Sequence, residues 1–165
     1  MIHWLEQKKS KKYLEKSFFI ESKSRSLPGV IWLGSSKFEK KPLVLLAHGG
    51  SGHKRSEKMV AMGTWISERF GWNAVAIDGP AHGDRGSIQK STDPAYREMW
   101  QQPSVVSEMV EDWKCVTDAF VELDSTDQEK IGFWGFTSNF DLFQNYGAPI
   151  CDPLLPPLAY TKLKH

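Results

Sequence analysis

Residues 130–139 read KIGFWGFTSN, an apolar run that opens as a buried strand and closes in a tight turn. A strand ending in Gly-x-Ser-x-Gly makes a sharp elbow that lifts a serine hydroxyl above the sheet as a nucleophile. Here the five positions are Gly135-Phe136-Thr137-Ser138-Asn139. The first glycine is in place, threonine holds the nucleophile position, and asparagine replaces the closing glycine. Two further stretches carry chemistry-bearing residues: His48-Gly49-Gly50-Ser51-Gly52-His53, after an apolar run, and Asp78-Gly79-Pro80-Ala81-His82-Gly83, after another. Consecutive small residues let backbone N–H groups point inward, which is how an oxyanion hole is made without side chains. The chemistry these stretches suit together is acyl transfer through a hydroxyl nucleophile.

Each has a plainer reading. The glycine run also serves as a tight strand-to-helix loop. It would cradle phosphate if Gly-Lys-Ser/Thr followed, but Gly52 is followed by His53-Lys54-Arg55. Asp78 and His82 fit loop hydrogen bonding better than catalysis. His48, His53, Asp78, His82 and Asp84 fall near strand ends, yet their spacing matches no zinc motif, so neither a metal nor any other cofactor is expected. At the elbow, Thr137 is β-branched, and such residues tolerate strained backbone poorly. Ser138 serves as nucleophile only if the turn slips by one residue, and no glycine then flanks it.

The elements that must position these loops follow from pattern. Residues 42–47 (PLVLLA) and 73–77 (NAVAI) are continuous apolar runs, as in strands buried on both faces. Between them, residues 56–70 place Met59, Met62 or Gly63, Ile66 and Phe70 at helical spacing, with Ser56 as cap and Gly71 as stop. A loop containing Pro94 and Pro103 leads to a helix over 104–123. Its apolar face is Val106, Met109, Val110, Trp113, Val116, Phe120 and Leu123. Cys115 lies within that helix, with nothing to activate its thiol. Residues 131–136 form the next strand. Strand–helix–strand–helix–strand in this order predicts a parallel α/β sheet with right-handed crossovers. Ahead of it, residues 17–21 (SFFIE) and 29–33 (GVIWL) read as paired antiparallel strands about a turn at Ser26-Leu27-Pro28-Gly29. Residues 1–16 read as a short, partly amphipathic helix, too thin in its apolar face for a membrane surface.

Composition excludes several functions. With 165 residues and 40% hydrophobic content the chain can build a core. A net charge of +1 gives no electrostatic reason for nucleic acid. The two cysteines, Cys115 and Cys151, make no disulfide framework. No stretch approaches the roughly 20 apolar residues that cross a bilayer, and the start lacks a secretory apolar region. A soluble, cytoplasmic protein is the expectation.

The segments LVLLAHGGSGHKRS, AVAIDGPAHGDRG and KIGFWGF, in this order and spacing, resemble the amino-terminal half of the α/β-hydrolase superfamily, most nearly the bacterial dienelactone-hydrolase and prolyl-oligopeptidase-like branch. The resemblance covers residues 26–136. It implies a serine hydrolase of carboxylic ester or similar acyl bonds, with a small-molecule substrate and a Ser–Asp–His triad. It places an oxyanion-hole loop on His48, Gly49, Gly50 and Ser51, with donors at Gly50 or Ser51 and at Ser138. It assigns Asp78 and His82 to a structural loop, and the nucleophile position to Thr137 or Ser138.

Beyond Ser138 the pattern stops. Residues 139–146 fit two helical turns capped by Ser138 and stopped at Gly147. Asp152 and His165 follow in triad order, but Pro149, Pro153, Pro156 and Pro157 leave no room for the strands that would carry them. The expected organisation is therefore a hydrolase-like portion over 1–138 and a divergent Pro-rich tail over 139–165. The fold is a partial α/β-hydrolase-like sheet: an antiparallel strand pair, then parallel strands with crossover helices, the later strands missing. An early stop or shifted reading frame would produce such a chain, and it would be inactive. Its open sheet edge would favour self-association. A non-catalytic binding or interaction protein that retains the hydrolase loops is the alternative.

Overall fold

The computed structural model describes residues 1–23, 25–35, 39–123 and 125–135. Among these residues six strands and three α-helices succeed one another, with a 3-10 turn at Gly83–Arg85: β1 (Ile2–Lys9), β2 (Tyr13–Ser22), β3 (Arg25–Gly34), β4 (Lys41–Ala47), α1 (Glu57–Phe70), β5 (Asn73–Ile77), α2 (Pro94–Trp100), α3 (Val105–Val121) and β6 (Thr126–Gly135). They form one sheet in the order β1-β2-β3-β5-β4-β6. The wing β1-β2-β3 is antiparallel and joins β5 antiparallel; β5, β4 and β6 run parallel. Among the described residues β6 is paired on one side only, with β4.

The continuous apolar strands are explained by a helix on each face. Because successive side chains alternate, Val44 and Leu46 join Val30, Trp32, Ala74 and Ala76 beneath α1, where Met59 and Ile66 meet them. Leu43 and Leu45 join Phe18, Ile20, Leu27, Ile31, Val75 and Ile77 beneath α3, where Val116 and Phe120 meet them. Each such large side chain, fully buried, contributes about 1.5–3 kcal/mol. Gly63 lets α1 approach the sheet, since a Cβ there would collide with the buried Trp32 ring. Gly71 stops α1 in the left-handed conformation at φ 68°, and Ser56 stands at its N-cap without a side-chain cap bond.

Three expectations are corrected. The amino terminus is strand, not helix: β1 pairs with β2. The spacing of Ile2 and Leu5 reads as helical, but tertiary pairing decides otherwise. His3 stacks on its cross-strand partner Phe19 at 4.5 Å, and Trp4 meets its partner Phe18 edge-on at 6.1 Å. Second, the β2–β3 reversal lies between the paired Ser22 and Arg25, with Lys23 at φ 54°, so Ser26–Gly29 is strand. Pro28 fits inside β3 because its carbonyl faces the β5 side, accepting from Asp78 N–H at 3.2 Å. Its missing N–H faces the same way, so no β2–β3 ladder bond is lost. Third, the stretch read as a loop about Pro94 contains α2, with Pro94 in its first turn, where a missing N–H costs nothing. The strand-and-helix order from residue 41 to 135 otherwise follows the sequence pattern within a few residues, β6 beginning earlier than expected. No helix among the described residues is long and apolar enough to cross a membrane. The expected division at residue 138 and the helical turns over 139–146 lie outside the described residues.

Candidate functional site

Parallel pairing aligns the carboxyl ends of β4, β5 and β6, the edge where ligands bind in such sheets. Leu46 stands beside Ala76, and Ala47 beside Gly135, the first glycine of the elbow pattern. The loops His48–Gly52 and Asp78–Gly83 therefore meet next to the end of β6. Thr137 and Ser138 lie outside the described residues, as do Asp152 and His165.

The two loops are braced against each other by histidines. His48 is buried: its Nε2 accepts from Gly79 N–H at 2.8 Å, which leaves the proton on Nδ1 to donate to the Gly49 carbonyl at 2.8 Å. Burial pushes its pKa from 6.5 down to about 4; the Gly49 carbonyl opposes that shift and neighbouring His82, its ring centroid 5.1 Å away, adds to it. His82, also buried, places Nδ1 at 2.8 Å from the Pro80 carbonyl and Nε2 at 3.1 Å from the Gly50 carbonyl. The Gly49 carbonyl also accepts from Gly52 N–H at 2.9 Å. The peptide planes bearing the Gly50 and Ser51 N–H groups are thus both held by their carbonyls. Ser51 turns its hydroxyl outward, where it bonds Ser91 Oγ at 3.2 Å and accepts from Ser91 N–H at 2.9 Å.

Asp78 is fully buried. Its carboxylate accepts from Lys54 N–H at 2.8 Å, Lys54 Nζ at 2.5 Å and Asp84 N–H at 2.9 Å. Lys54 also reaches Asp84 at 2.6 Å and holds that carboxyl below the usual range. Gly83, at φ 52°, is required here, since a Cβ would strike the Asp78 carboxylate. Beside this cluster Arg85 donates to the Asp78 carbonyl at 3.0 Å and to Asp112 at 2.7 Å, and Arg25 donates to Asp112 at 2.9 and 3.1 Å. Lys54, Arg85, Arg25 and Asp112 were not anticipated from sequence. One signal was available: Asp112 stands in the buried stripe Met109–Asp112–Val116–Phe120 of α3, where a carboxylate demands a cation.

A pocket opens over these loops. Ala47 and Ile77 at the strand ends, His48, Gly50, Gly79 and His82 from the loops, and Tyr96, Met99, Trp100, Met109 and Trp113 from α2 and α3 line it. Tyr96 lies so close to Gly50 that a Cβ on that glycine would meet the ring at 2.6 Å. Among the described residues no three His, Cys, Asp or Glu side chains come together as a metal site, and Cys115 is a half-buried thiol on α3.

No protein-family model and no curated protein matches the chain. Solved structures do. A cold-adapted esterase from an Arctic intertidal metagenomic library is 31% identical at TM-score 0.66, over 80% of this chain and 54% of that one. An acetyl xylan esterase, so named provisionally, from Bacteroides fragilis aligns at 14% identity and TM-score 0.69, over 87% of this chain and 43% of that one. A dienelactone hydrolase-like promiscuous phosphotriesterase from metagenomic libraries aligns at 14% identity and TM-score 0.59, over 76% and 49%. The chain spans about half the length of the structures it matches. Its fold is α/β-hydrolase-like, a partial version of the sheet these esterases carry.

Proposed function

We propose that this site is built for cleavage of carboxylic esters or similar acyl bonds of small molecules by serine-hydrolase chemistry. The observation that carries the reading is the glycine loop after β4, its peptides fixed by His48 and His82, standing beside Gly135 at the end of β6. In such a reaction a hydroxyl oxygen attacks the acyl carbon. The carbonyl electron pair moves onto oxygen, and the tetrahedral anion is stabilised by preset donors, here the Gly50 or Ser51 N–H. Collapse of that anion expels the alkoxide, which leaves as the alcohol by taking the proton that a general base removed from the attacking hydroxyl, and an acyl-enzyme remains, which water releases by the same route. His48 and His82 are not the general base in this reading. The Nε2 of His48 already accepts from Gly79, and both ring nitrogens of His82 face carbonyl oxygens.

We further propose that the chain is catalytically silent as it stands, because Thr137 and Asn139 replace the serine and the closing glycine of the elbow. That departure favours a second reading, a binding protein that keeps the hydrolase loops. A fluorophosphonate probe and a p-nitrophenyl ester assay on the purified chain separate the two. Silence is the expected result. Labelling or turnover that disappears in Thr137→Ala or Ser138→Ala overturns it and makes the chain an esterase. Self-association through the outer edge of β6 is proposed as well. Sedimentation velocity showing only monomer across a wide concentration range would remove it.

A further inference from the structure

The ester reading leaves the substrate's acyl group unspecified, and the pocket wall has a definite character. Four rings stand in a row along it: His48 to His82 at 5.1 Å, His82 to Tyr96 at 6.0 Å edge-on, and Tyr96 to Trp100 at 6.1 Å edge-on. Such spacings are those at which aromatic groups attract through their quadrupoles. The row starts at the glycine loop, against which Tyr96 is packed, and runs out along α2. Met99, Met109 and Trp113 extend this wall, and thioethers also favour contact with ring edges; the charged groups on the lining, Asp78, Arg85 and Asp112, are engaged in the ion pairs Lys54–Asp78 and Arg85–Asp112. The Trp100 indole N–H is buried and has no acceptor among the described residues. An indole nitrogen can only donate, and buried donors are almost always partnered. Tyr96 bridges Gly50 and Trp100, so a second phenyl-sized ring lying along it would span the same gap.

We propose that the pocket takes the aromatic acyl group of an aryl carboxylic ester, with the Trp100 indole N–H donating to an oxygen substituent on that ring. The proposal rests on the ester reading for the carbonyl's placement at Gly50. It concerns binding, and so does not require an active nucleophile. Three uncharged, non-hydrolysed probes test it on the intact chain by calorimetric titration: 4-methoxybenzamide, 4-methylbenzamide and cyclohexanecarboxamide. Both aromatic amides bind more tightly than the cyclohexyl one. The methoxy compound exceeds the methyl compound by about three- to tenfold, as one hydrogen bond gives. Trp100→Phe abolishes the methoxy preference while keeping the aromatic one. In the wild type, the indole proton resonance absent from Trp100→Phe shifts more with the methoxy than with the methyl probe. Failure of all three to bind, equal binding of the cyclohexyl probe, or a methoxy preference surviving Trp100→Phe overturns the proposal. Failure of the ester reading is seen separately. Aromatic probes that bind, yet are not displaced by methyl 4-methoxybenzoate, keep the pocket and refute the acyl placement.

Discussion

Acidification from pH 7.5 to 5 should weaken the fold through His48. In the native state this imidazole is neutral and buried, with a pKa of about 4 against 6.5 for an ordinary histidine. The unfolded chain therefore binds a proton that the folded chain refuses between those two values. Stability from this group is complete above pH 6.5, falls as pH drops through the window, and is gone below about 4. A shift of about 2.5 units corresponds to roughly 3 kcal/mol in full, of which about 2 kcal/mol is lost by pH 5. Against a typical domain stability of about 5–15 kcal/mol that is a large fraction. The carboxylates that are held low, Asp84 beside Lys54 and the surface groups Asp93, Glu111 and Asp127, also lose their contribution as pH falls. They do so only near and below their ordinary values of 3.8–4.5, so the range from pH 7.5 to 5 belongs to histidine.

Urea titrations at pH 7.5, 6 and 5 measure this. With a slope of about 2 kcal/mol/M, the midpoint of the wild type falls by roughly 1 M across the series. The control is His48→Gln, whose amide oxygen can still accept from Gly79 N–H but cannot titrate. It should start about 1 kcal/mol less stable, for the lost bond to the Gly49 carbonyl, and lose about 2 kcal/mol less than the wild type between pH 7.5 and 5. A His48→Gln series that falls as steeply as the wild type, or a wild type with no fall, refutes the assignment.

Other perturbations test the remaining supports. Asp112→Ala strands Arg85 beside the core, leaves Arg25 with Glu111, and should cost about 3–5 kcal/mol by urea denaturation, with a subadditive cost when combined with Arg85→Met. Lys54→Met leaves the buried Asp78 carboxylate facing Asp84 without its cation. It should destabilise by a similar amount and enhance amide exchange across residues 78–86. Gly63→Ala forces a methyl into the Trp32 ring and should cost about 1–3 kcal/mol, less when Trp32→Leu makes room. Trp4→Ala removes the ring that bridges Phe18 and Phe120 and should detach β1, with faster amide exchange confined to residues 2–9 and 14–20.

The parallel part of the fold was legible because its strands are buried on both faces and its helices carry a single apolar stripe. Residues 42–47 and 73–77 admit no other reading beside 56–70 and 104–123. The amino terminus was not legible. Ile2 and Leu5 sit three apart, and what makes β1 a strand is the ring partners that β2 presents, a long-range fact. The α2 helix was hidden by its own proline, which sits in the first turn, where helices accept it. The site divides in the same way. The glycine loop and the Asp78 loop announce themselves by composition, and both Asp78 and His82 are engaged in hydrogen bonds there. The aromatic wall on α2, by contrast, depends on where an unrecognised helix lands.

The binding proposed for the pocket and the chemistry proposed for the elbow would draw on different parts of this chain, and that separation follows from the bracing. His48 ties the first loop to Gly79, His82 ties the second back to Gly50, and Lys54 with Arg85 anchors both to Asp78. Tyr96 then rests on Gly50, so the pocket wall is registered to the loop peptides. A substitution at Thr137 or Ser138 changes none of these bracing residues. The reverse holds for the braces. Replacing His82 by alanine removes its contact with the Gly50 carbonyl and the ring between His48 and Tyr96, so it should disturb both the donors and the aromatic wall at once. Hydrolysis assays alone therefore cannot report whether the site is formed, whereas ligand binding with and without His82 can.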